Sequence, residues 1–169
     1  MKYFSFLILL SFMISCSSEK TKSEIEFFPS LELRDGFYYK KDSNEPFTGS
    51  TESTYSTGDP YVSASFKDGK FDGRYTAWHL SGHKMGESNY ANGIKEGISI
   101  AWHENGNKAS VVNFKNDKRE GKLEIFLLTG DKSTEAFFKA DNLDSTYTRW
   151  DMDGNVISVE MYEEGVLVE

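Results

Sequence analysis

The chain has 169 residues, with 19 Lys and Arg against 27 Asp and Glu and a formal net charge of −8. That length suits one domain. An acidic surface repels phosphate backbones and anionic headgroups, so nucleic acid is not an expected partner. A single cysteine leaves no intrachain disulfide framework, and stability has to come from packing.

Residues 1–15 read as a signal segment. Lys2 gives a minimal positive start, and the apolar run from Phe4 to Ile14 is too short to span a bilayer. Ile14-Ser15-Cys16 closes it and resembles the bacterial lipobox, in which cleavage precedes a cysteine that receives acyl chains. Met13 stands where that motif prefers Leu. Cys16 is therefore the expected lipidation site, and several acyl chains on one residue hold a protein firmly to a membrane. Cleavage would remove Lys2 and take the net charge from −8 to −9. Residues 16–24, polar and without an apolar period, are the expected tether. A Ser after the Cys resembles sorting to the outer membrane of a diderm bacterium.

Beyond residues 25–48, taken as an N-terminal cap, the chain repeats itself. FKDGKFDGRYTAWHLSGHK begins at Phe66, and YANGIKEGISIAWHENGNK begins 24 residues later at Tyr90. Gly58, Gly82, Gly106, Gly130 and Gly154 share that spacing. So do Gly49, Gly73, Gly97 and Gly121, a row that breaks at Ser145. Phe66, Tyr90, Phe114, Phe138 and Tyr162 form an aromatic row, and Trp78, Trp102, Phe126 and Trp150 form another. A fixed period of this size is the mark of a repeat architecture, and residues 49–169 form the array.

Within a unit the signals are short extended runs separated by turns. Gly97 to His103 and Lys108 to Phe114 are two such runs. Between them Asn105-Gly106 is a pair favoured where both central residues of a tight hairpin need positive φ. Asp153-Gly154 repeats it. Thr57-Gly58, Ser81-Gly82 and Thr129-Gly130 keep the Gly alone. Asp68-Gly69, Asn92-Gly93 and Glu164-Gly165 turn the chain into the next unit. The expectation is an all-β, elongated, single-layer antiparallel meander with one hairpin per unit. Gly58, Gly82, Gly106, Gly130, Gly154, Gly73, Gly97 and Gly121 are its expected turn residues. Ten strands about 4.8 Å apart would make a sheet about 48 Å long.

The rhythm Gly-x-x-x-x-Trp, then Gly, then aromatic-x-x-Gly resembles the MORN repeat in its bacterial variant of this unit length. That variant is often carried by exported proteins and is sometimes labelled a YwqK-type antitoxin. Asp35-Gly36-Phe37-Tyr38-Tyr39-Lys40 with Pro46-Phe47-Thr48-Gly49 is similar to the start of such arrays. The resemblance covers residues 35 to 169 and implies an elongated single-layered sheet. Asp117 and Asp141 in place of the turn Gly, Ser145, and Thr54 in place of Trp depart from the pattern.

A two-residue loop at Ser81-Gly82 would set Trp78 opposite Met85 and Tyr75 opposite Ser88. One face would then carry Tyr75, Ala77, Ser88 and Tyr90, and the other the Trp row with Met85, Val111, Val159 and Met161. Twist is expected to bury parts of both faces. Trp102, mid-array, is expected in the core, and Trp150 to be more exposed.

Chemistry-bearing groups are sparse. His79 and His103 occupy matching places about 9.6 Å apart, too far for both to reach one zinc at about 2.0–2.1 Å without leaning inward. They read as polar strand-end residues, with His83 in a turn. Glu87 and Glu135 read as solvated. Asp68, Asp72, Glu96, Asp117, Glu120, Asp141 and Asp144 cluster at the turns between units, where Asx chemistry accounts for them. No catalytic constellation, metal site or cofactor is expected.

These readings point to a membrane-anchored, non-enzymatic module that binds a protein partner at the bacterial envelope, with Trp78, Trp102 and Trp150 as the candidate surface. An antitoxin or immunity protein masking a toxin is an alternative. A cell-wall or glycan binder is another. Oligomeric state and the identity of the partner stay open.

Overall fold

The computed structural model describes residues 28–168. Cys16, the signal segment and the tether lie outside the described residues. Two strands come first, β1 (Leu31–Arg34) and β2 (Phe37–Lys40). Then follow β3 (Gly49–Thr54), β4 (Pro60–Lys67), β5 (Lys70–Trp78), β6 (Lys84–Ala91) and β7 (Ile94–Trp102). The array continues with β8 (Lys108–Lys115), β9 (Lys118–Phe126), β10 (Lys132–Lys139) and β11 (Asn142–Trp150), and ends with β12 (Val156–Glu163) and β13 (Val166–Leu167). Strands β1 and β2 form their own hairpin, while β3 to β13 form one 11-stranded sheet in strict chain order. Every pairing is antiparallel. This is the expected all-β meander, not closed into a barrel.

The tight two-residue hairpins lie between the repeats rather than inside them. Asn92 and Gly93 both have positive φ (52° and 83°), and their flanking residues Ala91 and Ile94 pair directly. Asp68-Gly69, Asn116-Asp117, Ala140-Asp141 and Glu164-Gly165 repeat this geometry, which suits the twist of the flanking strands. Inside each unit the loop is longer. The Gly106 N–H donates to the His103 carbonyl at 2.9 Å and the His103 N–H to the Asn107 carbonyl at 2.8 Å. Gly106 alone has positive φ there (87°), the pattern of a type I turn closed by a left-handed glycine. The expectation that Asn105 shares that conformation is corrected. The extra residue also shifts the register, so Trp78 pairs with Lys84 rather than Met85, while Tyr75 does face Ser88.

Gly73, Gly97 and Gly121 are not turn residues. They sit inside β5, β7 and β9 with φ of 104°, 74° and 78°. At each, the pairing to the preceding strand jumps: Ala64 pairs with Tyr75, whereas Phe66 pairs with Phe71. Four residues of β5 thus cover two of β4, a bulge that needs a residue without a Cβ penalty. Ser145 takes the matching place in β11 with φ 101°.

The two faces are unequally buried. One carries Val62, Ala64, Phe66, Ala77, Ser88, Ser99 and Ala136, all buried, while Thr76 is buried on the other, so parts of both faces are covered and one is the preferred inner face. Its apolar centre lies at the N-terminal end, where Phe28, Leu31 and Phe47 pack on Val62, Ala64, Phe66 and Ala77. Phe28 meets Phe66 edge-on at 5.3 Å, and Phe66 meets Phe71 at 4.7 Å. Burial here pushes the Tyr75 hydroxyl up to about 12. The Tyr38 N–H donates to the Gly69 carbonyl and the Gly69 N–H to the Phe47 carbonyl, which fixes the first hairpin against the array. A side chain at Gly69 would lie 3.0 Å from the Tyr38 carbonyl oxygen, so only glycine fits that contact.

Farther along, the inner-face row changes chemistry. Phe71 contacts Tyr90 at 5.3 Å. The same relation one unit on places the Lys95 ammonium 4.3 Å from the centre of the Phe114 ring, and the next places Arg119 4.0 Å from Phe138. Apolar stacking gives way to cation–π contact. Desolvation among these neighbours holds Lys95 below the usual lysine range, against the opposing pull of Asp117.

Candidate interaction surface

The candidate residues Trp78, Trp102 and Trp150 end β5, β7 and β11 on the outer face, and all three are half-buried. The expected contrast between a core Trp102 and an exposed Trp150 is absent. Each is partly covered and partly open to solvent.

Register places a cation beside two of them. The Lys84 Nζ lies 5.5 Å from the Trp102 ring centre and 2.6 Å from Glu87 Oε2. The Lys132 Nζ lies 5.8 Å from the Trp150 ring centre and 2.6 Å from Glu135 Oε2. The two triads are 48 residues apart, two units, and the intervening unit has Val111 and Phe126 in the matching positions. Glu87 and Glu135 are therefore not simply solvated. Their side chains are 20% and 24% exposed and each is ion-paired.

Around the second triad the charges form a square. Lys122 meets Glu124 at 3.0 Å and Glu135 at 2.9 Å, and Lys132 meets Glu124 at 2.5 Å. Hydrogen bonds from Lys132 and then Lys122 hold both carboxylates below the usual glutamate range. Beside it a shallow open hollow of about 440 Å³ is lined by Asp131, Lys132, Trp150, Met152, Asp153 and Gly154.

The long edges of the sheet are built from ladders between units. On one, the Tyr55 hydroxyl donates to the Trp78 carbonyl at 2.7 Å. His79 Nε2 lies 3.1 Å from the Trp102 carbonyl, and His103 Nε2 lies 2.9 Å from the Phe126 carbonyl. Asn105 and Asn107 both donate to the Leu128 carbonyl. On the other edge, Asp72 accepts from the Asn92 N–H at 3.0 Å, Glu96 from Asn116 at 2.8 Å and Glu120 from Ala140 at 2.9 Å. Asp72, Glu96 and Glu120 thus serve the backbone of the next unit's turn, not their own. Asp117 and Asp141, which replace the turn glycine, accept from the Lys95 and Arg119 N–H groups at 2.8 and 2.9 Å. Among the described residues no three His, Cys, Asp or Glu side chains are grouped so as to hold a metal ion.

The fold and its ladders define an open β-sheet built from repeated hairpins. No protein-family model matches the chain, and no curated protein matches it.

Proposed function

We propose that the protein is a non-enzymatic, membrane-anchored binding module of the bacterial envelope, built from MORN-type repeats and tethered through acyl chains on Cys16. One observation carries the reading. The sheet presents half-buried Trp rings at matching strand ends, two of them flanked by Lys–Glu pairs, along an outer face set out by a fixed period. Arrays of stacked units make extended surfaces of this kind. Trp rings offer large contact area at low entropic cost, and ion pairs at their rim add orientation. A protein partner suits this mixture of aromatic edges and paired charges.

The test has two arms. Cys16→Ala should abolish labelling by a palmitate analogue and move the chain out of the membrane fraction; continued labelling and sedimentation would sink the anchor. Crosslinking in intact cells, followed by mass spectrometry, should recover one dominant protein partner whose capture is lost in Trp102→Ala and Trp150→Ala. Capture that survives both substitutions would remove the Trp face from the reading. Retention on peptidoglycan or polysaccharide in place of a protein would favour the glycan alternative.

A further inference from the structure

The two ends of the 11-stranded sheet differ. At the first, the β1–β2 hairpin and Phe28 close the inner face. At the last, β13 has two residues and pairs only with Tyr162 and Glu163 of β12. The Val168 N–H adds one bond, to the Met161 carbonyl at 2.8 Å. Among the described residues, 156–160 of β12 have β11 on one side and no paired strand on the other. Exposed apolar side chains gather at this end: Val156 (56%), Ile157 (60%) and Val159 (59%) on β12, with Val166 (64%) and Leu167 (56%) beside them. An open edge of this composition is a template for strand pairing.

We propose that β12 pairs antiparallel with β12 of a second copy of this chain, on a two-fold axis through Ser158. The strand's own geometry carries the register. Outward-facing backbone groups alternate along a strand, and Met161 faces outward because its carbonyl meets Val168. Val159 therefore faces outward too, and so does the Ile157 carbonyl, which opposes the inward Ser158 N–H; Ile157 is itself the extra residue of a bulge, because Arg149 pairs with Ser158 and Trp150 with Val156. Pairing about Ser158 sets Ile157 of each copy opposite Val159 of the other, so each Val159 N–H donates to the Ile157 carbonyl of the second copy and the two pairs abut their apolar side chains.

Charge fits the same register. Glu160 falls opposite the partner's Val156 and not another carboxylate. Within its own chain it is already held by Arg149 Nη2 at 3.4 Å and the Tyr162 hydroxyl at 2.8 Å. A head-to-tail joint would instead set β12 against β3, whose sequence GSTEST offers no large apolar side chain. An isologous joint is the self-complementary choice, and it closes at two copies.

On the axis, Ser158 meets its counterpart as a non-hydrogen-bonded pair, with Cα atoms about 4.5 Å apart, within the span of a disulfide. The test uses the full chain with Ser158→Cys, oxidised by copper phenanthroline in its native membrane. The wild-type chain, whose one cysteine is Cys16, sets the background, and Ser81→Cys at a loop tip reports random collision. The expected result is a covalent dimer, at twice the mass of the anchored chain, in most of the Ser158→Cys protein. It should exceed the Ser81→Cys yield at least tenfold. Adding Val159→Pro removes an outward N–H without touching the bonds to β11, and should reduce the dimer to background. Ser158→Cys yields no higher than those of Ser81→Cys overturn the proposal, whatever the proline variant does. So does a dimer yield that Val159→Pro leaves unchanged in a protein of unaltered circular dichroism.

Discussion

His79 Nε2 meets the Trp102 carbonyl oxygen at 3.1 Å, across 23 residues of sequence, and His103 repeats the bond to Phe126 at 2.9 Å. A carbonyl can only accept, so Nε2 carries the proton in both rings. His83 differs, because its Nδ1 faces the Glu104 carbonyl at 2.8 Å. Nitrogen NMR at neutral pH should report the Nε2–H form for His79 and His103 and the Nδ1–H form for His83. His103→Ala should lower stability by about 1 kcal/mol in urea unfolding, the worth of one such bond. The same tautomer at all three rings would contradict the ladder.

Backbone conformation gives a paired prediction of opposite signs. Ser145 adopts φ 101°, where the matching residues are glycine. Ser145→Gly should relieve part of a strain that costs about 1–3 kcal/mol, and raise the urea midpoint. Gly106→Val should lower it by about 1–3 kcal/mol, because φ is 87° and a Cβ would stand 3.4 Å from the His83 ring. A surface change such as Lys115→Gln should stay within about 0.5 kcal/mol. Equal midpoints for Gly106→Val and Lys115→Gln would rule out the left-handed turn.

The charge square predicts sensitivity to acid. Glu124 and Glu135 are both held below their ordinary range in the folded protein, chiefly by Lys132. A depressed folded value stabilises the fold above the unfolded value and stops doing so as pH falls through the folded one. Stability should therefore decline from about pH 4.3 downward. The double variant Glu124→Gln, Glu135→Gln should flatten that limb of the curve and reduce the response to added salt. Identical acid limbs for the variant and the parent would remove the square as the cause.

Trp102 separates packing from recognition. A fully buried Trp costs about 3–5 kcal/mol on truncation, and a half-buried one roughly half of that. Trp102→Ala should lower the melting temperature moderately, and Lys84→Ala on that background should cost less than it does alone, since the cation has lost its ring. Differential scanning calorimetry on the four members of this cycle checks both statements. Strict additivity would mean that the Lys84–Trp102 contact contributes nothing.

Much of the architecture was legible because glycine spacing records backbone geometry directly. Gly82, Gly106 and Gly130 mark the long loops as expected, each with positive φ. The bulges at Gly73, Gly97 and Gly121 were not separable from turns, because both demand the same conformation from the same residue. Bonds between units were illegible for a different reason. Nothing in the sequence of Asp72 distinguishes an acceptor for its own turn from one for Asn92, 20 residues on. The Trp row was readable as a row, but the cations that Lys84 and Lys132 set beside two of its rings were not, because Lys84 and Trp102 lie 18 residues apart in different hairpins.

Most bonds of the ladders also have a direction, those from Asp117 and Asp141 back to Lys95 and Arg119 being the exceptions. Tyr55, Asp72, His79, Glu96, His103 and Glu120 each lend a side chain to the main chain of a unit that comes later. During synthesis, which proceeds from the N-terminus, each new loop therefore emerges when most of its docking groups are already in place, beside an aromatic seed at Phe28, Phe47 and Phe66. Shortening the chain from its C-terminal side would cost earlier units only the bonds that Asp117 and Asp141 make to Lys95 and Arg119, whereas excising an early unit would strand several main-chain groups of the one that follows. Growth of such an array is vectorial, and so is its tolerance of loss.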